Sequence, residues 1–492
     1  MLATQAGTRP DTAAFPRADQ VTTAVAGVLV AGSIVTGLVL NLTGSPVQAA
    51  TAPLYGNWKP HLGPGTPFAF ALAAVVVLHG PRLAMALSWR RLLAASYTTA
   101  VGWTLTLAMI DGWRRGLAGR LTEQAEYLTE VRGVTDIPAM LREFTGRILD
   151  YQPDSWTTHV SGHPPGALLV FVWLDRIGLG GGGAAALTCV LFGALAAVAV
   201  PATLHALGQE AAARTALPFL VLLPGAVWVG ASADGLFAGL TSAAVALLAL
   251  ALTTARRAEA LLCGLAAGGL LAFGCHLSYG LVLLAPIALA TVVVAAASRQ
   301  STPTWRATPP RTMPTGQAAN SARLAAAAGA DPTGARIRAV GPVLVAVMLG
   351  GGLVVAAFTA AGFWWLDGYH LVVQRYYQGI ASERSYGYWA FANLAALLLA
   401  AGPAAAVILR RVLVALPRDR AAYVLLPAAA ALSIAAADLS GLSKAEVERI
   451  WLPFAVWLPA GAALLPPAAR RGWLAAGAAT ALVVNHVVLT VW

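Results

Sequence analysis

Charge is what this chain of 492 residues has least of: Asp, Glu, Lys and Arg together make up 11% of it, against 58% hydrophobic residues and a mean hydropathy of +0.70. That balance leaves too little polar surface to coat a water-soluble globule, and it excludes an ordinary soluble enzyme. Cysteine is nearly as scarce. Cys189, Cys263 and Cys275 all fall inside apolar runs, where a thiol behaves as a small buried hydrophobe, so they supply neither a disulfide framework nor a cysteine zinc site. A Gly-rich nucleotide-binding loop is lacking, and so is an internal repeat of the kind that relates the halves of a secondary transporter. The formal charge of +11 sits at the ends of apolar runs, where the positive-inside rule accounts for it, and nucleic acid is therefore not an expected partner. Residues 1–20 are polar and the first apolar run is as long as a full span, which reads as a retained helix rather than a cleaved signal.

What the chain does have is a succession of apolar runs, near 21–42, 67–80, 90–110, 164–177, 184–205, 214–232, 235–253, 259–275, 277–297, 340–362, 388–410, 421–437, 451–466 and 472–491. They predict an all-α, polytopic transmembrane bundle of about 12 to 14 spans. Two polar segments interrupt it. Segment 111–163 mixes acids and arginines without basic bias, whereas 298–338 holds Arg299, Arg306, Arg311, Arg323, Arg336 and Arg338 against the single acid Asp331, in an Ala/Pro/Thr/Ser background. The second reads as a disordered basic cytoplasmic linker, which places 111–163 on the opposite, extracytoplasmic face. The chain then divides into a cytoplasmic tail (1–20), an N-terminal membrane module (21–297), the linker (298–338) and a C-terminal membrane module (339–492). If Asp111 and Asp234 share one face, the three apolar runs between them cannot all be full crossings. The short run 164–177, opened by two prolines, is the natural re-entrant element.

Within 111–163, Trp113, Leu117, Leu121, Leu128 and Val131 recur at helical spacing, as do Ile137, Met140, Leu141, Phe144 and Ile148. Two amphipathic helices are expected, either capping the bundle or lying in the interface with their apolar faces toward lipid.

Asp111 closes an uncharged run, so its carboxylate belongs where membrane gives way to water. Glu126 and Tyr127 follow on the first amphipathic stretch. In Thr158-His159-Val160-Ser161-Gly162-His163-Pro164-Pro165-Gly166, two histidines four apart meet a rigid Pro-Pro corner; a metal site is one reading, but Gly162 and the prolines oppose the helix it needs. Asp234 interrupts two apolar runs with no basic neighbour and suits the wall of a polar cavity. The stretch 363–389 combines an aromatic belt, including Tyr377 and Tyr386, with Arg375 and Arg384; its tyrosines suit sugar stacking and its arginines suit phosphate. Between Asp438 and Trp451 lie Lys444, Glu446, Glu448 and Arg449, with helical spacing for Lys444–Glu448 and Glu446–Arg449 pairs. His276 reads as a packing residue.

Asp111, the segment 113–150, the corner His163-Pro164-Pro165 and Ser232-Ala233-Asp234-Gly235, in that order, resemble the C-type (GT-C) membrane glycosyltransferases, which include protein O-mannosyltransferases and lipid A aminoarabinose transferases. The resemblance spans roughly 105–280 and departs from the family in two respects: two spans precede the acid, and its neighbour is Gly112 rather than a second acid. It implies a multi-pass plasma-membrane enzyme that moves a sugar from a polyprenyl-phosphate donor to a cell-envelope acceptor, with inversion. Asp111 would be the base, with Glu126 and Asp234 in the catalytic set. His163, Arg384, Lys444 and Arg449 would hold the donor phosphate, and Tyr127, Tyr377, Tyr386 and Glu446 the acceptor or sugar. It fixes no cofactor and leaves a divalent metal open; membrane lipid is the other partner, and it does not identify a protein partner. A transporter, flippase, or polymerase or ligase for lipid-linked glycans is the competing class.

Overall fold

The computed structural model describes residues 16–230, 232–298 and 332–491. Most of the expected N-terminal tail and linker lies outside the described residues, and the helix Pro332–Ala360 starts before the linker's expected end. Helices carry almost all of the rest. Among the described residues the strands are β1 (Gly56–Trp58) and β2 (Val488–Thr490), which pair antiparallel with Gly56 opposite Thr490.

Among the described residues eight helices are long and apolar enough to cross a membrane, or nine if Tyr386–Ala401 and Ala404–Ala415, bent by 104° at Gly402, form one crossing. They include α1 (Arg17–Leu42) and α2 (Thr66–Ala86). The other expected runs are present as shorter or more polar helices, for local reasons. The next helix, α3 (Trp89–Ala108), carries Arg90, Arg91 and several hydroxyl residues. Helix Glu210–Val221 stops just before Pro224, and the run 451–466 becomes the short helix Leu452–Ala455 followed by a 3-10 stretch to Leu464.

The run 164–177 forms the 12-residue helix Pro165–Arg176, roughly 18 Å long and too short for a hydrocarbon core of roughly 30 Å. Arg176 donates to the carbonyls of Val134 and Thr135 at 2.8 and 2.9 Å. A few residues on, Gly182 lies so close to Ala118 that a Cβ would come within 1.7 Å of its carbonyl oxygen. Both ends of this helix therefore stay on the face that carries 111–163, which removes the conflict in the span count.

Segment 111–163 is a chain of short turns, Trp113–Ala118, Arg120–Thr122, Leu128–Val131, Ile137–Glu143 and Thr145–Arg147, rather than two continuous helices. Leu117, Leu121, Met140, Phe144 and Ile148 are buried, so the apolar face mostly turns into the bundle, with Trp113 left exposed. The segment caps the membrane part instead of floating on lipid. Gly146 in this segment is exposed with open space around it. Cysteines introduced at Gly146 and at Gly316 in the linker should react with an impermeant thiol reagent from opposite sides of the membrane, and same-side labelling would overturn the sidedness.

Candidate active site

Three chain segments far apart in sequence meet at the face that carries 111–163. The first turn of helix Ala233–Thr253 presents Asp234, which is 5% exposed. The loop after helix Ala422–Leu439 kinks through Ala445 and Glu446, both in the left-handed region at φ 70° and 64°, a conformation that costs a non-glycine residue of order 1–3 kcal/mol. That kink turns Glu446 back against Arg449 in the short helix Val447–Ile450. Arg449 Nη1 donates to Asp234 Oδ2 at 2.7 Å and Nη2 to Glu446 Oε2 at 2.5 Å. Nη2 also donates to His159 Nε2 at 3.1 Å.

A guanidinium only donates, so His159 must accept at Nε2 and carry its proton on Nδ1. Nδ1 faces the Ala125 carbonyl at 3.0 Å and Glu126 Oε1 at 3.4 Å. Burial, reinforced by Arg449, pushes His159 down to about 3, in agreement with a neutral ring. Glu126 goes the other way. Burial outweighs the pull of Arg449 and raises it to about 8, so this carboxyl is protonated near neutrality. Burial also opposes ionisation of Glu446, but Arg449 and Arg384 together hold its carboxyl below the usual range. Two acids that both feel the charge of Arg449 are thus shifted in opposite directions.

The raised Glu126 value has a consequence for stability. The folded state holds this proton more tightly than the unfolded chain, so the stabilisation is complete below the ordinary carboxyl range and is lost as pH rises through about 8. Glu126→Gln, which mimics the protonated form, should flatten the fall in thermal midpoint between pH 7 and 9 in detergent; an unchanged slope would show that Glu126 is not the titrating group.

His163 Nδ1 donates to the His159 carbonyl at 2.8 Å, with Tyr127 Oη at 3.0 Å. The two histidines are thus committed to a backbone oxygen and to Arg449 respectively, and do not converge. Among the described residues no group of three His, Cys, Asp or Glu side chains could hold a metal ion.

Beside this network, Arg384 is 5% exposed and gives Nη1 to the Lys444 carbonyl at 2.7 Å and to Glu446 Oε1 at 3.1 Å. Its Nε and Nη2 have no hydrogen-bond partner. Lys444 returns a bond from Nζ to the Arg384 carbonyl at 3.0 Å and stands 5.4 Å from the Tyr377 ring. The Lys444 N–H is accepted by Tyr376 Oη at 2.8 Å. Burial and the neighbouring Arg384 lower Lys444. Glu446–Arg449 pair as expected, but the helical spacing of Lys444 and Glu448 produces no pair: Glu448 is fully buried and accepts the Tyr55 N–H at 3.0 Å. Tyr386 stands apart, 41% exposed with its hydroxyl on the Asp438 carbonyl.

Asp111 belongs to a second cluster. Gly112, at φ 79°, turns the chain out of α3, leaving the carboxylate between His61 Nε2 at 2.6 Å and Arg120 Nη2 at 3.4 Å. Arg120 also donates to the carbonyls of Thr490, at 2.9 Å, and Val491. Tyr55 links the two clusters: its carbonyl accepts the Val491 N–H at 3.3 Å, its N–H meets Glu448, and its ring lies 5.1 Å from the Arg384 guanidinium. His61, Arg120, Tyr55 and Tyr376 were not foreseeable as partners, because each meets its neighbour across a long sequence separation or through a backbone atom. His159 was visible beside His163, and only its contact with Arg449 gives it a role.

No family model and no curated protein matches the chain. Among solved structures, the crystal structure of ArnT from Cupriavidus metallidurans in the apo state is similar at 16% identity over 77% of each chain, with a TM-score of 0.28. A likeness this loose bears on neither the fold nor the chemistry, which rest on the chain's own residues.

Proposed function

We propose that this chain is a multi-pass glycosyltransferase of the plasma membrane that moves a sugar from a polyprenyl-phosphate donor to an envelope acceptor on the extracytoplasmic face, with inversion. The observation that carries the reading is Arg384: a side chain 5% exposed, at a span end, with two nitrogens, Nε and Nη2, unmet and an ammonium beside it. Buried donors without acceptors are costly, and an anion with several oxygens satisfies them. Phosphate binding thus passes from Arg449, whose terminal nitrogens face Asp234 and Glu446, to Arg384 and Lys444. Arg449 instead fixes the acids.

In the step itself the acceptor O–H bond breaks and its proton goes to Asp111. The acceptor oxygen bonds the anomeric carbon from the side opposite the phosphate. The carbon–oxygen bond to phosphate breaks, and its electron pair leaves on the phosphate oxygen, where Arg384 and Lys444 meet the charge. His163 and Tyr127 border the donor from the Pro-Pro corner, and Tyr377 offers a face for a sugar ring.

Arg384→Lys keeps the charge but loses the planar fork, and should raise the apparent KM for a polyprenyl-phosphate sugar by ~10-fold or more in proteoliposomes, with a smaller change in kcat. An unchanged KM would remove Arg384 from the donor site. Transfer from a nucleotide sugar in place of the lipid donor would overturn the reading as a whole.

A further inference from the structure

The Asp111 cluster contains a histidine that the reaction scheme does not yet use. His61 Nδ1 lies 2.7 Å from the carbonyl of Lys59, and Nε2 lies 2.6 Å from Asp111 Oδ1. A carbonyl oxygen only accepts, so Nδ1 must carry a proton. A second proton must lie between Nε2 and the carboxylate, since two bare acceptors do not approach to that distance. Nε2 donates that proton to the carboxylate, so both ring nitrogens of His61 act as donors and both are committed.

The ring is built into place. Its backbone N–H donates to the His486 carbonyl at 2.8 Å, and Lys59 N–H donates to Val487 at 3.0 Å, extending the β1–β2 pairing up to the acid. Two residues on, Gly63 packs so closely on the end of α3 that a Cβ would come within 1.8 Å of the Ile110 carbonyl oxygen. The imidazole and the carboxylate are 17% and 7% exposed. The other charged group on Asp111 is Arg120, at the longer 3.4 Å from Oδ2, and around Arg120 stand Arg115 and Glu123. Oδ1 is thus held by a short charged hydrogen bond, and Oδ2 is the less engaged oxygen.

We propose that His61 is the positioning residue of Asp111: it clamps Oδ1 so that Oδ2 is the oxygen offered to the acceptor hydroxyl. This rests on the reading of Asp111 as the base. Nothing in the reaction is consumed at His61, which keeps both of its protons while Oδ2 takes the acceptor's.

Two measurements on the full-length protein test the proposal. The first does not depend on turnover: ¹⁵N NMR of the purified protein, with the His61 signals assigned by their loss in His61→Ala, should show both ring nitrogens protonated at pH 7, and Asp111→Asn should return Nε2 to the unprotonated type. A neutral His61 ring beside an intact Asp111 overturns the clamp. The second is a kinetic cycle with a polyprenyl-phosphate sugar donor. His61→Ala should lower kcat by ~10- to 100-fold, the scale of a misplaced catalytic group, with donor KM within ~2-fold. His61→Gln, whose amide still donates, should recover most of that loss. Adding His61→Ala to Asp111→Asn should cost nothing more, whereas a merely structural histidine gives losses that multiply. Multiplying losses, or a kcat unchanged in His61→Ala, overturn the positioning role. A protonated ring combined with full transfer by Asp111→Asn keeps the geometry and overturns the proposed base instead.

Discussion

Asp111→Asn is expected to reduce sugar transfer by ~100-fold or more, the scale of a lost general base. The amide keeps the size of the side chain and can donate its N–H to His61 Nε2, so the fold around α3, β1 and β2 should survive. Donor binding should also survive, because Arg384 and Lys444 lie in the other cluster, beyond Tyr55. The measurement is transfer of labelled sugar from membrane polyprenyl-phosphate donors at matched expression, with donor KM followed separately. If Asp111→Asn turns over at the wild-type rate, the carboxylate only ties His61 and Arg120 together, and the proton acceptor must be sought in the Glu126 network.

The largest effect on stability is expected at Arg449. Its guanidinium is 4% exposed and serves Asp234, Glu446 and His159 at once. Arg449→Met leaves the buried Asp234 without a cation and Glu446 with Arg384 alone, and breaking a buried pair in this way costs about 3–5 kcal/mol. Against a total stability of about 5–15 kcal/mol, that is a large share, and accumulation of folded protein should fall. The triple variant Arg449→Met, Asp234→Asn, Glu446→Gln removes the uncompensated charge along with the cation, and should restore accumulation without restoring transfer. Fluorescence-detected size exclusion of the detergent-solubilised protein reads the first outcome and the transfer assay the second. Normal accumulation of the single variant would mean that Asp234 or Glu446 is neutral in the folded protein.

How far the sequence carried depended on the kind of signal each feature leaves. Apolar runs of span length announce themselves through composition, and the helices Ala233–Thr253 and Arg257–Leu277 fall where 235–253 and 259–275 were expected. The re-entrant character of 164–177 was legible from its length and from the parity of the crossings. The internal breaks of 111–163 were harder to read, because helical spacing of apolar residues looks the same whether the chain is one helix or several turns joined at Gly112, Gly119 and Gly133. At the site, Asp234, Glu446 and Arg449 stood out as charges between apolar runs, and they meet. Their order of roles was not legible: whether an arginine serves a ligand or two acids depends on which carboxylates lie across the fold, 215 positions away in the case of Asp234. His61 left no signal at all, since its partner is 50 residues on and its second contact is a backbone carbonyl.

The pairing of β1 with β2 sets an order of assembly. Arg120 emerges from the ribosome 370 residues before Thr490, whose carbonyl holds it, and His61 likewise precedes the His486 carbonyl that fixes its backbone. Until β2 is made, Asp111 and Arg120 therefore lack the backbone ties it supplies, and the centre locks only when β2 pairs with β1. A chain in which β2 has not yet paired with β1 would lack the backbone carbonyls that hold Arg120 and His61 beside Asp111.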